Sequence, residues 1–469
     1  MTGRKAVILL RALLVCSMLL VWLPSAARAQ ETSVDQIMSL MTVEERVGQI
    51  FMVDFVGTDT SEESGVAELV LEYKIGSVLI SESAGNFDNA GQQPLAQQVS
   101  NLTNRLQNLA YQASSRTIDD QEVFVPLFVA VEQEGNGYPY TELRSGFTPL
   151  LSNMALGASW SEENAREAGA IVGHELAAVG VNLLLGPMAD VLDTPRSGEQ
   201  GDLGVRVFGG SPYWVGKLAR AYVRGVHEGS GSRVETVVKH FPGHGGSGRD
   251  PEREVATISS TLEEMRALQL VPFVAVTASN PNDPLGTTDG LMVGHIRCQA
   301  FQPDMQFFSD PLTLDDKGLG VAMSLPEFAN WHSNGLLVAD FLGSQAVKEH
   351  LNAERAGFPQ FRIAREALMA GDDILPLVHF SLSDDWEGDS FPRIVETIKY
   401  IQDRYRYDPE FRPLVDESVR KILQAKLRLY SSLSLEEVLV DEAAALSSVG
   451  GSGDSVRRMA QDAVTLLYP

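Results

Sequence analysis

Short runs of Val, Ile and Leu alternate with amphipathic stretches along this chain from about Ser33 onward. That is the rhythm of repeated strand–helix units rather than of a β-sandwich. Eight runs read as strands: residues 50–55, 76–80, 127–131, 182–186, 236–240, 290–295, 335–340 and 373–377. Several are apolar at nearly every position, as expected where both faces of a parallel strand are covered. Between them lie polar stretches with single apolar stripes. Leu95, Val99, Leu102, Leu106 and Leu109 recur at helical spacing, and residues 416–429 read as a last helix. Eight such units predict an α/β fold, a (β/α)8 TIM-type barrel with a short C-terminal extension.

Two connections are long, one between the second and third strands and one over residues 297–323, where Pro303, Pro311 and Gly318 interrupt any periodicity. Long loops at a barrel mouth shape binding sites. After Tyr430 the chain changes character. Residues 446–453 (LSSVGGSG) have the composition of a flexible linker, followed by a short helical stretch from Val456 and a strand-like run at 463–467. The expected division is 1–29 signal peptide, 30–430 barrel, 431–469 linker and tail.

The first of these segments rests on charge and hydropathy. Arg4, Lys5 and Arg11 precede an apolar run over 12–23, and Ala27-Arg28-Ala29 follows it. This is the pattern of a cleaved export signal, with the mature chain expected to start near Gln30; the apolar run is short of the roughly 20 residues that span a bilayer. An exported protein without a membrane span is therefore expected. The net charge is −25, and the signal removes four basic and no acidic residues. Such a surface repels nucleic acid and anionic lipid, so neither is an expected partner. Cys16 leaves with the signal and Cys298 is left alone, which excludes an intramolecular disulfide, a cysteine-rich metal site and a Cys/Cys redox pair.

The polar residues at the strand ends carry the candidate chemistry. Glu132 and Glu134 follow the third strand, Asp190 the fourth, Lys239 and His240 end the fifth, His295 the sixth and Asp340 the seventh. One strand-end carboxylate commonly caps the next helix, and one histidine is commonly just hydrogen-bonded in place. So many on one rim, where α/β barrels keep their chemistry, mark a functional mouth. Two reaction classes use such a set. A metal hydrolase would recruit His240, His244, His295 and Asp340 as ligands; against it, the first strand does not end in His-x-His and no helix carries paired histidines. A glycosidase needs two carboxyl groups, a nucleophile and a proton donor, with Lys, Arg and His to hold sugar hydroxyls.

These residues lie in stretches that resemble the catalytic barrel of glycoside hydrolase family 3 and, within it, the β-N-acetylhexosaminidase branch. The matching text is MTVEERVGQ at 41–49, VEQEG at 131–135, GFT at 146–148, MALG at 154–157, GVN at 180–182 and GPMADV at 186–191. It continues with RVFG at 206–209, KHFPGHG at 239–245, GLLVAD at 335–340 and DESVR at 416–420. These fall in the family's order over about residues 35–430, and KHFPGHG is the most specific. The resemblance implies that Asp340 is the nucleophile, forming a glycosyl-enzyme intermediate, and that Arg206, Lys239 and His240 bind sugar hydroxyls. Glu132 stands where most members have Asp, so its reach toward a hydroxyl is one methylene longer. His295 matches a rim position that orients the site.

Departures from the family pattern are as informative. Where the hexosaminidase branch has an Asp-x-His pair supplying the acid/base, this chain has Asp250-Pro251-Glu252. A glutamate with an ordinary pKa of roughly 4.3 is ionised at neutral pH unless burial or a carboxylate neighbour raises it. Asp250 is that neighbour in a proton-sharing pair, while a solvated acidic loop is the plain alternative. Phe341 replaces a second Asp, and Gly137 an Arg for which Arg144 is a candidate substitute. Residues 456–467 resemble the opening of the second domain that supplies the acid/base in glucosidase-type members. The expected function is an exported retaining β-N-acetylhexosaminidase acting on a carbohydrate without metal or other cofactor, with Asp250 and Glu252 as donor. The alternatives are a sugar-binding barrel lacking the acid/base, and a β-glucosidase-type barrel that needs a second domain.

Overall fold

The computed structural model describes residues 34–465 except 119–120, 136, 196–202, 246, 248, 250–252, 281 and 307. Residues 1–29, expected as a signal peptide, lie outside the described residues. The chain divides into two compact units, one ending at Met41 and one running from Thr42. The described part of the first is a helix over 34–40.

In the second unit the eight expected strands form one parallel sheet: β1 Phe51–Val53, β2 Ser77–Leu79, β3 Phe128–Val131, β4 Leu183–Leu184, β5 Glu235–Phe241, β6 Gly290–Val293, β7 Leu336–Ala339 and β8 Leu375–Leu377. Each pairs with its sequence neighbour, as in Val78↔Val129 or Leu337↔Leu291, and β1 returns to β8 through Met52↔Pro376. A bridge Val338↔Ile374 closes the seam between β7 and β8, with Ala339 N donating to Ile374 O at 3.1 Å. The result is the predicted TIM-type barrel. Most strands are shorter than their apolar runs, and at some ends a side chain takes over the ladder. Before β4, Asn182 accepts from Val129 N at 2.7 Å and donates to Leu127 O at 2.9 Å.

The helices pack as their stripes require. All five leucine and valine positions named above are buried in the helix Leu95–Ser114. The helices Glu162–Ala178 and Pro212–Ser230 approach each other through glycine on both sides. A Cβ on Gly169 would stand 2.1 Å from Tyr222 O, and one on Gly225 1.9 Å from Arg166 O.

The helix Arg412–Leu429 crosses the N-terminal ends of the strands and fixes them with three basic side chains. Lys421 Nζ donates to Asp373 before β8 at 3.1 Å. Lys426 Nζ donates to Gln49 Oε1 at 2.7 Å and Gly76 O at 2.8 Å, beside β1 and β2, and Arg428 to Glu235 of β5 at 3.0 Å. That face is committed to holding the barrel together.

Beyond Tyr430, short helices span Leu435–Val438, Glu442–Ser448 and Gly453–Asp462. The stretch 446–453 thus covers the end of one helix, a turn and the start of the next. Gly450 N donates to Glu175 Oε1 at 2.7 Å, which ties the turn to the barrel's own helices. Linker composition did not anticipate this, because a buried carboxylate in another helix supplies the partner. Among the described residues no helix is long and apolar enough to cross a membrane.

Candidate active site

The C-terminal ends of the strands surround a cavity of about 330 Å³, at the small end of the range for small-molecule sites. Every strand contributes to its wall: Asp54 after β1, Ser81 after β2, Glu132 after β3, Arg206 in the connection after β4, His240 on β5, His295 after β6, Asp340 after β7 and His379 after β8. Glu132, Arg206, His240, His295 and Asp340, all expected from sequence, are therefore brought together.

Below them lies a charged floor. Lys239 is fully buried and donates to Glu132 Oε1 at 2.5 Å, with Glu134 Oε1 at 2.7 Å. Burial alone would push this lysine's pKa down; the two carboxylates outweigh it and hold it above the ordinary value. Arg206, at the end of the 3-10 turn Gly204–Arg206, clamps Glu134 with two bonds of 2.8 and 2.9 Å and lies 3.6 Å from the centre of the Tyr140 ring. Burial opposes ionisation of Glu134, but Lys239 and Arg206 bring its pKa down to about 2. Lys239 itself is not in the cavity wall. Its charge reaches the cavity through Glu132, which is one-fifth exposed.

Lys239 and His240 are consecutive, yet both serve the site. A regular strand would send them to opposite faces. The pairing of β5 with β6 shifts register between Val238 and Phe241, and this irregularity turns both side chains to use. His240 Nδ1 lies 3.0 Å from Asp190 Oδ2, and the backbone N–H groups of His240 and His244 donate to the same carboxylate at 3.1 and 3.0 Å. His244 Nδ1 is 3.2 Å from Asp190 Oδ1 without hydrogen-bond alignment. Burial would raise the Asp190 pKa, but His244 and His240 hold it well below the carboxylate range. Gly245 closes the motif because a Cβ there would stand 1.6 Å from Val191 O. Among the described residues Asp190, His240 and His244 form a trio whose ligand atoms lie within 4.8 Å of one another. Both oxygens of Asp190 accept backbone N–H bonds from the β5 loop, so this carboxylate braces the loop.

Asp340 Oδ1 accepts from Phe341 N at 2.8 Å. Burial pushes its pKa up; His295, His240 and the Phe341 N–H outweigh this, so the carboxyl stays below its ordinary value and ionised. His295 lies between Thr313 Oγ1, 2.9 Å from Nδ1, and Phe341 O, 3.0 Å from Nε2. A carbonyl only accepts, so Nε2 carries a proton, and burial lowers the ring's pKa. Thr313 comes from the long 297–323 connection, which here is ordered as the 3-10 turn Leu312–Leu314 and the helix Asp316–Met323. With both nitrogens occupied, His295 cannot serve the metal-hydrolase set without losing the bonds that hold it.

Asp250 and Glu252 lie outside the described residues. Arg144 pairs with Glu82 and donates to Thr141 O at 2.8 Å, and it is not among the residues of the cavity wall. Among the wall residues that escaped the sequence reading are Tyr140, Glu142, Asp54 and His379. Tyr140 and Glu142 come from a hairpin after β3, held by the bridge Gln133↔Thr141. Burial, with the neighbouring carboxylates Glu132 and Glu82, raises the Glu142 pKa to about 7 even though Glu82 N donates to it at 2.7 Å. Asp54 and His379 pair with each other across the β1/β8 seam, with His379 N donating to Asp54 Oδ2 at 3.0 Å. Both carried the same signal as the other rim residues, a polar side chain ending an apolar run. Asp54 was hidden because the expected strand ran on to residue 55.

Residues 42–425 match the Glycosyl hydrolase family 3 N terminal domain. The chain is 28% identical over 258 residues to Beta-hexosaminidase A of Pseudoalteromonas piscicida, covering 51% of this chain and 39% of that protein. It is 34% identical over 184 residues to a Beta-hexosaminidase of Pseudomonas aeruginosa, covering 39% and 50%. These matches span between two-fifths and half of the relatives' lengths. In structure it is similar to a glycoside hydrolase family 3 beta-N-acetylglucosaminidase from Paenibacillus sp. str. FPU-7, with a TM-score of 0.68 and 26% identity over 91% of this chain and 70% of that one. The family match covers most of the chain and the barrel agrees with it, so the chain belongs to glycosyl hydrolase family 3.

Proposed function

We propose that this protein is an exported retaining β-glycosidase that releases terminal β-linked N-acetylglucosamine-type sugars. The observation that carries the reading is a half-buried carboxylate held below its ordinary pKa, Asp340, which shares one small cavity with Glu132, Arg206 and His240. The names of the relatives support the sugar class, and the basic, apolar and Ala-x-Ala pattern of residues 1–29 supports export.

Asp340 forms a bond to the anomeric carbon as the glycosidic C–O bond breaks, and the electron pair passes to the departing oxygen, which takes a proton from a general acid. Water then attacks the glycosyl ester, gives up a proton to the same group and frees the Asp340 carboxylate. Arg206, His240 and Glu132 offer donors and an acceptor to the ring hydroxyls, and Lys239 fixes Glu132 from beneath. His295 sets the Phe341 carbonyl and so the backbone that carries Asp340. By position in the family the general acid falls to Asp250 with Glu252.

Asp340→Asn should bring hydrolysis of 4-nitrophenyl β-N-acetylglucosaminide to background while the fold is retained by circular dichroism; turnover surviving that change rejects the reading. A chelator should leave the wild-type rate unchanged, since the proposed steps use no metal. A catalytically weakened sugar-binding barrel is the reading favoured by Glu252 standing where histidine is expected. It predicts rapid turnover of an activated aryl glycoside and none of a natural disaccharide.

A further inference from the structure

We propose that His379, backed by Asp54, is the general acid/base of this site. The inference rests on the glycosidase reading above and replaces the donor that family position suggests.

Both residues line the cavity that holds Asp340. The loop after β7 is stitched to the segment after β8: Leu342 N donates to Pro376 O at 3.0 Å and Gly343 N to Val378 O at 3.2 Å. The Phe341 ring meets the His379 ring edge-on with centroids 6.5 Å apart. The imidazole therefore stands on the rim immediately beside the nucleophile's loop. Its Nδ1 lies 3.6 Å from Asp54 Oδ2, the same oxygen that accepts the His379 N–H. Asp54 is mostly covered while the imidazole is 65% exposed, so the carboxylate backs the ring and Nε2 remains available to a ligand. His379 also has φ of +51°, in the left-handed region that non-glycine residues seldom occupy. Such a conformation is strained, and here the Asp54 bond to the residue's own N–H holds it.

Of the other histidines of the wall, His295 has both nitrogens bonded within the protein. His240 and His244 turn Nδ1 toward Asp190 under the β5 loop, and His240 is already given to the ring hydroxyls in the function proposed above. The two half-reactions require one group that gives a proton and then takes one back, and an imidazole with its Nε2 open to the cavity is chemically able to do both. In the first, His379 Nε2–H gives its proton to the glycosidic oxygen as Asp340 bonds to the anomeric carbon. In the second, the neutral ring takes a proton from the attacking water, and the imidazolium is restored as the sugar–Asp340 bond breaks. Asp54 is a positioning residue in this scheme.

The test uses the full chain, two substrates and sodium azide. For His379→Ala, hydrolysis of a substrate with a poor leaving group, 4-methoxyphenyl β-N-acetylglucosaminide, should fall about 10²- to 10⁴-fold. Formation of the glycosyl-enzyme from the 2,4-dinitrophenyl glycoside, whose leaving group needs no proton, should stay within a few-fold of wild type. Azide should restore turnover and yield the β-glycosyl azide. Asp54→Asn should slow the poor-leaving-group substrate selectively, whereas a merely structural role would slow both alike. Full activity of His379→Ala on the poor leaving group, or azide rescue confined to Glu252→Ala or His240→Ala, overturns the proposal while leaving the glycosidase reading intact. Absence of wild-type turnover on either substrate overturns both.

Discussion

Lys239 is the residue on which the site's charge balance turns, because it is the buried cation shared by Glu132 and Glu134. Replacing it by Met would leave Glu132 without that partner and Glu134 with Arg206 alone. Breaking a buried pair by removing one partner costs about 3–5 kcal/mol. Lys239→Met should therefore lower the unfolding free energy measured in urea by an amount of that order, and adding Glu132→Gln should recover part of the loss, since the second change removes the uncompensated charge. A double-mutant cycle in urea measures the coupling. At the same scale, the chemistry of each histidine follows from its acceptors. His295 is held between a hydroxyl and a carbonyl, while His379 stands open with one carboxylate behind it.

Elements decide where these residues arrive. The register shift in β5 turns two consecutive side chains toward one site, and the hairpin after β3 adds Tyr140 and Glu142 to the wall. Away from the site, the helices Glu162–Ala178 and Pro212–Ser230 depend on reciprocal glycines. Gly225 leaves no room for a side chain, because a Cβ would stand 1.9 Å from Arg166 O, a backbone atom that moves only with its helix. Overpacking costs typically about 1–3 kcal/mol, and backbone on the far side places this site at the upper end. Gly225→Ala should lower Tm by several degrees and leave KM for an aryl glycoside unchanged; differential scanning calorimetry and steady-state kinetics check the two halves.

Across the whole molecule the two ends of the barrel divide the work. The strands' C-terminal ends hold the cavity, while their N-terminal ends hold structural ion pairs under the helix Arg412–Leu429. His227 belongs to that second set. Its Nδ1 lies 2.7 Å from Leu285 O and its Nε2 2.8 Å from Asp289 Oδ2, so both nitrogens face acceptors and the ring is an imidazolium. Burial would lower its pKa, but Asp289 and the Leu285 carbonyl raise it to about 9. The unfolded value is about 6.5. A raised pKa gives stability that is fully present below pH 6.5 and is lost as pH rises through 9, about 3 kcal/mol over that window. Urea midpoints at pH 6 and pH 9.5 should differ accordingly, and His227→Gln should flatten that dependence.

Much of this was legible in the chain. Period and apolar runs gave all eight strands, because a strand covered on both faces must be apolar throughout, and the runs at 335–340 and 236–240 delivered Asp340 and His240 to the rim. Strand ends were less legible, since a side chain such as Asn182 takes over the hydrogen bonds of a ladder without altering the apolar pattern. The stretch 446–453 misled for a related reason: its partner, Glu175, lies far away in sequence.

The sequence by itself thus determined the barrel, the rim on which the chemistry stands and the family motifs, all of which depend on local pattern. Only the tertiary structure decided which polar groups meet. It buried Lys239 under Glu132, closed both nitrogens of His295, and joined Asp54 to His379 across a seam between residues 325 positions apart. Barrel closure brings the first and last strands side by side, and no local pattern in a chain encodes what faces what across that seam.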